Sequence, residues 1–193
     1  MAIKLVLGLG NPGERYAHTR HNAGFDVAAA MLRRRGRGRW LHHPKCDIAV
    51  LMPGRLVVLA RPLSFMNRSG GVAAALLSEF DIDPGEMLVV VDDIDLPLGM
   101  LRLRKSGGPG THNGLRDICD AVGTEFPRLR VGVRGDTIGG NLADYVTSPF
   151  ESDELPRVDA AILRAADAVD AALRDGVEKA MNIFNRPPAP FER

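Results

Sequence analysis

Two side chains suited to acid–base chemistry, His21 and Asp92, follow apolar segments of the sequence. His21 comes after the apolar run at 3–9 and its Gly-Asn-Pro-Gly turn, and Asp92 follows the run EMLVVV. Histidine is the usual general base near neutral pH. A carboxylate that accepts a hydrogen bond from one imidazole nitrogen leaves the other nitrogen free to take a proton from water. The pair suits hydrolysis by an activated water, although each residue is equally typical of a cap or a satisfied core position.

Three asparagines recur near the same segments. Asn11 follows the first apolar run, Asn67 lies in RPLSFMNRSG, and Asn113 ends a glycine-rich loop. An amide side chain offers one acceptor and two donor hydrogens without carrying charge. Together the three could hold an ester carbonyl, whereas each one alone is typical of a turn or a helix cap. Their function therefore depends on whether the fold brings them together.

Other chemistries have weaker support in the sequence. There is no GxSxG, no HExxH, and no CxxC around Cys46 or Cys119. A covalent nucleophile, a structural zinc site and a disulfide framework are therefore not predicted, and we expect neither a metal nor an organic cofactor. The segment GLGNPG begins like a nucleotide-binding loop, but the third glycine of that pattern is missing. A nucleotide-dependent enzyme is the weaker alternative.

Strand and helix patterns alternate along the chain and predict an α/β fold. We expect one domain over residues 1–193, with a loose tail at about 186–193, built as three α/β/α layers around a mixed, mainly parallel sheet. Ligands of such sheets bind beyond the carboxyl ends of the strands. This rule directs attention to Gly10-Asn11, Asp92-Asp93 and the loop at 106–113. The predicted strands are 3–9, 47–52, 55–61, 86–91, 101–104 and 129–133, and the predicted helices are 22–35, 65–80, 113–122 and 151–174.

Charge and hydropathy limit the partners. The formal net charge is +1, so any site for a polyanion must come from local clustering. The cluster RRRGRGRW at 33–40 is interpreted as solvated surface, while Arg102, Arg104 and Lys105 lead into the glycine loop and suit a sugar-phosphate chain. The sequence has no secretory signal pattern and no apolar run long enough to span a membrane, which predicts a cytoplasmic protein.

Five segments together resemble the bacterial peptidyl-tRNA hydrolases over essentially the whole chain. They are GLGNPGERYAHTRHNAGF, RPLSFMNRSG, VVDDIDLPLGMLRLR, GGPGTHNGLRDI and FPRLRVGVRG, and they occur in the order found in that family. The resemblance implies a monomeric, cofactor-free esterase that frees tRNA from prematurely released peptides and binds the acceptor end of peptidyl-tRNA. A non-catalytic RNA-binding module is the alternative within the same fold.

The resemblance also implies a role for each matching residue. His21 would be the catalytic base and Asp92 its orienting partner. The substrate-binding residues would be Asn11, Tyr16, Met66, Asn67, His112 and Asn113. The residues facing the tRNA would be Arg102, Arg104, Lys105 and Arg130.

Overall fold

The computed structural model describes residues 2–36, 38–51, 56–136 and 141–187. Its central feature is a seven-stranded sheet with the strand order β2-β3-β4-β1-β5-β7-β6. The four strands β4, β1, β5 and β7 are parallel, and β2, β3 and β6 pair antiparallel at the two sides. The sheet is mixed with a parallel centre, as predicted. The strands are β1 (Leu5–Gly8), β2 (Leu41–His43), β3 (Cys46–Val50), β4 (Val58–Pro62), β5 (Met87–Pro97), β6 (Leu101–Arg104) and β7 (Arg128–Arg134).

Helices cover both faces of this sheet, which confirms the three-layer prediction. Successive side chains of a strand point to opposite faces. Val6 and Leu88 accordingly pack into the core formed with α1, α5 and α6, whereas Leu7 and Val89 pack into the core formed with α2 and α3. The helices are α1 (Ala23–Arg33), α2 (Ser69–Phe80), α3 (Asn113–Val122), α4 (Leu142–Thr147), α5 (Leu155–Asp175) and α6 (Val177–Phe184).

Strand β5 is longer than the sequence pattern predicts. The apolar run ends at Val91, but the ladder with β7 continues: Asp92 pairs with Val131 and Asp93 with Gly132. The prediction that the strand stops at Asp92-Asp93 is wrong. Both aspartates are buried yet hydrogen-bonded, so the strand continues without leaving a buried charge unpaired.

Several element boundaries also differ from the predictions. Helices α1 and α2 are each preceded by a short 3-10 turn, at Arg20–Asn22 and Met66–Arg68. Helix α5 begins at Leu155, and residues 151–154, which were predicted as its first turn, lie before it. Strand β2 and helices α4 and α6 were not predicted. The Pro53-Gly54 turn and the part of the tail after residue 187 lie outside the described residues.

Two arginines of the cluster at 33–40 join the turn after α1 to α5. Arg34 lies 2.7 Å from Asp167, and Arg35 lies 2.7 Å from Asp170. These two arginines are therefore paired rather than simply solvated. Within the described ranges, no helix has the length and apolar character needed to cross a membrane.

Candidate active site

Close packing of α1 against β1 sets the position of His21. A Cβ atom added to Gly8 would lie 2.4 Å from the carbonyl oxygen of Gly24, and one added to Gly24 would lie 2.4 Å from that of Val90. Only glycine allows this approach. The 3-10 turn at the start of α1, which contains His21, is thereby held beside β5. The glycines at 8 and 24 serve helix–sheet packing, which explains them without a bound nucleotide.

Two histidines share one oxygen of a buried aspartate. The Asp92 Oδ1 atom lies 2.8 Å from His21 Nδ1 and 3.0 Å from His112 Nε2. Asp92 is 2 % exposed, and the two imidazole centres are 5.1 Å apart. The predicted proximity of residues 21 and 92 is therefore observed. The sequence resemblance placed His112 beside Asn113, and its contact with Asp92 was not predicted.

The hydrogen-bond partners distinguish the two imidazoles. His112 caps the N-terminus of α3, where its Nδ1 accepts a hydrogen bond from the backbone N–H of Leu115 at 3.1 Å. The proton of His112 must then be on Nε2, which donates to Asp92, so both of its nitrogens are used. His21 donates through Nδ1 and lines a cavity, and its Nε2 has no hydrogen-bond partner among the described residues. Of the two imidazoles, only that of His21 has a ring nitrogen without a hydrogen-bond partner among the described residues, which makes it the candidate proton acceptor.

Burial and hydrogen bonding have opposite effects on the pKa values of this cluster. Burial alone would raise the pKa of Asp92, but the interactions with His112 and His21 outweigh it and hold that pKa well below its usual range. Burial alone would lower the pKa of His21, but the charge and hydrogen bond of Asp92 outweigh it and raise that pKa above 6.5. Asp92 therefore remains ionised, and the basicity of His21 is increased.

A cavity of about 350 Å³ opens beside the shared aspartate. Of the predicted site residues, it is lined by His21, Asp92, His112, Asn113 and Arg130. One wall comes from α4, which the sequence analysis missed although Asn141 is a typical N-cap and accepts a hydrogen bond from the N–H of Ala143 at 2.7 Å. The lining residues that were not predicted are Asp93, Ile94, Thr111, Asn141, Leu142, Ala143 and Val146.

Asn11 lines a second cavity, of about 450 Å³, which is also lined by Asn22 from the turn that carries His21. Its backbone N–H donates to Asn22 Oδ1 at 2.8 Å, and its own Oδ1 accepts the backbone N–H of Met66 at 2.8 Å. A Cβ atom on Gly114 would lie 2.6 Å from the Met66 sulfur and 3.1 Å from His112 Cε1. These contacts connect Asn11, through Met66, to the histidine cluster.

The remaining predicted substrate residues lie outside the lining of the first cavity. Tyr16 packs edge-on against Phe65, with ring centres 6.2 Å apart, and Asn67 is exposed in the turn before α2. Phe65 is half exposed and was not predicted. Asn113, which does line the first cavity, is the first residue of α3, and its Oδ1 accepts a hydrogen bond from Arg116 at 3.0 Å.

The predicted basic residues lie along the β6–β7 ladder. Arg102 is directly opposite Arg130, and Arg104 is opposite Arg128. Residues opposite each other in a ladder point to the same face of the sheet. Arg102 and Arg104 are exposed, and no ion-pair partner for either is found in the described part of the chain. Lys105, by contrast, forms an exposed ion pair with Glu178.

Two β7 arginines hold the glycine loop. Arg130 lies 3.1 Å from Asp93 and donates to the carbonyl of Pro109 at 3.0 Å. Arg128, which was not predicted, is 1 % exposed and donates to the carbonyls of Gly107 and Thr124. The loop therefore has a defined path beside the cavity.

One group of side chains within the described ranges has the donor atoms for a metal ion. It is the same cluster of His21, Asp92 and His112, whose ligand atoms all lie within 4.8 Å of one another. The hydrogen bonds described above are sufficient to explain this arrangement.

Comparisons with known proteins converge on one family. The family model described as peptidyl-tRNA hydrolase matches residues 5–191. The chain is 45 % identical to a peptidyl-tRNA hydrolase of Roseiflexus castenholzii, over 98 % of this chain and 90 % of that protein. It is also 45 % identical to one of Chloroflexus aggregans, over 94 % and 98 %. The crystal structure of peptidyl-tRNA hydrolase from Acinetobacter baumannii superposes with a TM-score of 0.88 at 34 % identity and covers 96 % of this chain.

Proposed function

The chain belongs to the peptidyl-tRNA hydrolase family, and from this premise we propose that it hydrolyses the ester between a peptide and the 3′-terminal ribose of tRNA with a water molecule activated by His21. The observation that carries this proposal is the difference in hydrogen-bond partners between the two histidines that contact Asp92. Both nitrogens of His112 are used, whereas Nε2 of the cavity-lining His21 has no hydrogen-bond partner in the described part of the chain. His21 is thus the general base.

Proton transfer follows from this geometry. His21 Nε2 removes a proton from water, and the water oxygen attacks the ester carbonyl carbon. The imidazolium that forms is stabilised by the ionised Asp92, 2.8 Å from its Nδ1. His112 positions Asp92 through the hydrogen bond on the same oxygen. The proton then passes to the ribose oxygen when the ester bond breaks.

Amide groups supply donors for the negative charge that develops on the carbonyl oxygen. The Oδ1 of Asn11 is occupied by the Met66 N–H, and the Oδ1 of Asn113 by Arg116. Each asparagine is therefore oriented with its NH₂ group available to donate. Donors fixed in advance stabilise an oxyanion better than water does, because they do not have to reorient.

Substrate binding divides between two sides of the site. Tyr16, Met66 and Asn67 serve the peptide side, next to the half-exposed ring of Phe65. Arg102, Arg104, Lys105 and Arg130 serve the tRNA side. Arg102 is the ladder neighbour of the cavity-lining Arg130, and neither Arg102 nor Arg104 has an ion-pair partner among the described residues. Arg130 itself is used mainly to hold Asp93 and the glycine loop.

The test compares two histidine variants in an ester-hydrolysis assay on a model N-acyl-aminoacyl-tRNA. We expect His21→Ala to lower kcat by about 100- to 10,000-fold, the range for loss of a general base. His18→Ala is the matched control, because His18 also pairs with an aspartate, Asp26 at 3.3 Å, but is exposed and outside the first cavity. Equal loss in both variants, or normal turnover by His21→Ala, would contradict the proposal. Tight tRNA binding by a wild-type protein that leaves the ester intact would favour a binding module.

A further inference from the structure

A buried ion pair adjoins His21 but takes no part in the proposed chemistry. Arg20, the preceding residue, is 2 % exposed, and its guanidinium faces Glu154 with an NH2–Oε2 distance of 2.6 Å and an NH1–Oε1 distance of 3.3 Å. NH1 also donates to the carbonyl of Val133 at 2.9 Å. The turn that carries His21 is thereby tied to β7 and to the residue before α5.

Two aromatic rings stack on the same guanidinium. Its central carbon lies 4.3 Å from the ring centre of Tyr145 and 4.6 Å from that of Phe150. A planar guanidinium stacks well on aromatic faces. The Tyr145 hydroxyl in turn accepts the backbone N–H of Gly135 at 2.9 Å. Arg20, Tyr145, Phe150 and Glu154 form a cluster that we name the Arg20 anchor.

The Arg20 anchor connects the base to the α4 wall of the cavity. Tyr145 is a residue of α4, whose neighbouring side chains line the cavity. The backbone N–H of Arg20 donates to the carbonyl of Ser148 at 3.1 Å, and Thr19 forms a β-bridge with Pro149. The segment after α4 therefore runs beside the turn that precedes His21.

Stability alone is a weak explanation for this cluster. Removing two charges from water is unfavourable, and buried ion pairs replaced by apolar residues of similar volume often leave a protein equally stable. Among the described residues, Arg20 Nε is also buried without a hydrogen-bond partner, which adds to the unfavourable terms. What the cluster does provide is a fixed geometry between three segments of the chain.

We propose that Arg20 is a positioning residue that holds His21 and the α4 wall in one geometry, so that substrate held against α4 is aligned with the base. This inference rests on the proposed function of His21. In this proposal Tyr145 fixes α4, and Arg20 couples α4 to the turn that carries His21.

The test uses the full chain and separates kcat from KM. Arg20→Lys replaces the planar guanidinium, which bonds Glu154 and Val133, by a single ammonium group. We expect kcat to fall by about 100-fold, which is the effect of a displacement of about 1 Å at a catalytic group. Tyr145→Phe keeps the ring but loses the bond to Gly135. We therefore expect KM to rise by about 2- to 10-fold with kcat nearly unchanged. The matched control is Arg35→Lys, which alters an ion pair between the turn after α1 and α5, outside the lining of the first cavity.

A second variant separates positioning from folding. Arg20→Met combined with Glu154→Leu removes both charges at similar volume, so its thermal midpoint should remain near that of the wild type. We expect its kcat to be as low as that of Arg20→Lys. If the double variant has both the thermal midpoint and the kcat of the wild type, the proposal is overturned, because the ion pair would then serve only the fold.

The inference and the proposed function fail in different ways. If His21→Ala is inactive while Arg20→Lys and the double variant keep wild-type kcat and KM, the Arg20 anchor is overturned and the function of His21 stands. If His21→Ala retains turnover, the proposed function is overturned and the anchor with it.

Discussion

At the scale of single residues, His21 and His112 contact the same aspartate oxygen, and they differ in the partner of the second ring nitrogen. The difference arises outside the pair, because α3 supplies the Leu115 N–H that occupies the second nitrogen of His112. A histidine used as a helix cap cannot also accept a proton from water. In the proposed mechanism, the choice of base therefore depends on the backbone N–H of Leu115, which belongs to neither histidine.

This arrangement predicts a specific pH dependence. Only the neutral imidazole accepts a proton, so kcat/KM should rise with pH through the pKa of His21, which Asp92 raises above 6.5. Asp92→Asn removes the charge that raises this pKa, and the midpoint should move to lower pH. Its kcat should fall by up to about 10⁴-fold, because the amide no longer fixes the correct tautomer.

Rates on a model N-acyl-aminoacyl-tRNA between about pH 5 and about pH 9 would measure both effects. The profile of His18→Ala should coincide with that of the wild type, since His18 lies outside the first cavity. The same midpoint in Asp92→Asn as in the wild type would show that Asp92 does not tune His21.

Residue types were easier to predict than their contacts. Histidine next to a turn and aspartate after an apolar run indicate acid–base chemistry at the level of the sequence, and the three asparagines were also found there. The resemblance to a family adds His112 and Arg130. The role of His112 toward Asp92 could not be predicted in this way. It depends on the Nδ1 cap at α3 and on the distance between β5 and that helix, and both are tertiary features.

At the scale of elements, glycine contacts determine where the catalytic turn lies. Gly24 is inside α1, where alanine is normally the better helix former by about 1 kcal/mol. A Cβ atom there would be 2.4 Å from the Val90 carbonyl and 2.5 Å from the backbone of Leu9, so α1 would have to move away from the sheet. His21, one turn earlier, would move with it.

Gly24→Ala should therefore destabilise the protein by about 1–3 kcal/mol, the usual effect of overpacking, and should also lower kcat. Gly71→Ala is the matched control within α2, because a Cβ atom there meets nothing within 4 Å. That change should stabilise the protein by about 0.5–1 kcal/mol. Denaturant unfolding measures both, and a stabilised Gly24→Ala variant would contradict the packing argument.

The elements that the sequence did not predict are those held by tertiary contacts. Helix α4 has six residues, too few to be stable alone, and is held through Tyr145 on Arg20 and Gly135. The last part of β5 is polar, and it remains a strand because Asp92 and Asp93 find buried partners. Local patterns indicate the long amphipathic helices and the apolar strands, but not elements whose stability comes from elsewhere in the chain.

At the scale of the whole molecule, the charge is nearly balanced, so tRNA binding must depend on where the unpaired cations lie. The net charge is +1. Many arginines are neutralised by partners, as Arg34 is by Asp167 and Arg130 by Asp93. Arg102 and Arg104 differ, because they are exposed on an edge strand without an ion-pair partner among the described residues.

The edge that carries these two arginines is itself fixed. The side-chain amide of Asn185 accepts the N–H of Leu103 at 2.7 Å and donates to its carbonyl at 3.1 Å, which satisfies the outer edge of β6 at that residue. Arg102 and Arg104 therefore flank a residue whose outward-facing backbone groups are already hydrogen-bonded. A backbone that is already held loses little further conformational entropy when the strand binds a phosphate chain.

Binding that depends on two cations has a measurable salt dependence. Each phosphate neutralised contributes about 0.7 to 0.9 to the slope of log K against log salt concentration. In the inactive His21→Ala background, the double change Arg102→Gln and Arg104→Gln should make the slope for tRNA shallower by about 1 to 2. The control, Arg34→Gln with Arg35→Gln, removes the same charge from the turn after α1, where both arginines already pair with α5. Since counterion release depends on which cations meet phosphates, equal slopes for the two double variants would mean that net charge, rather than the β6 strand, binds the tRNA.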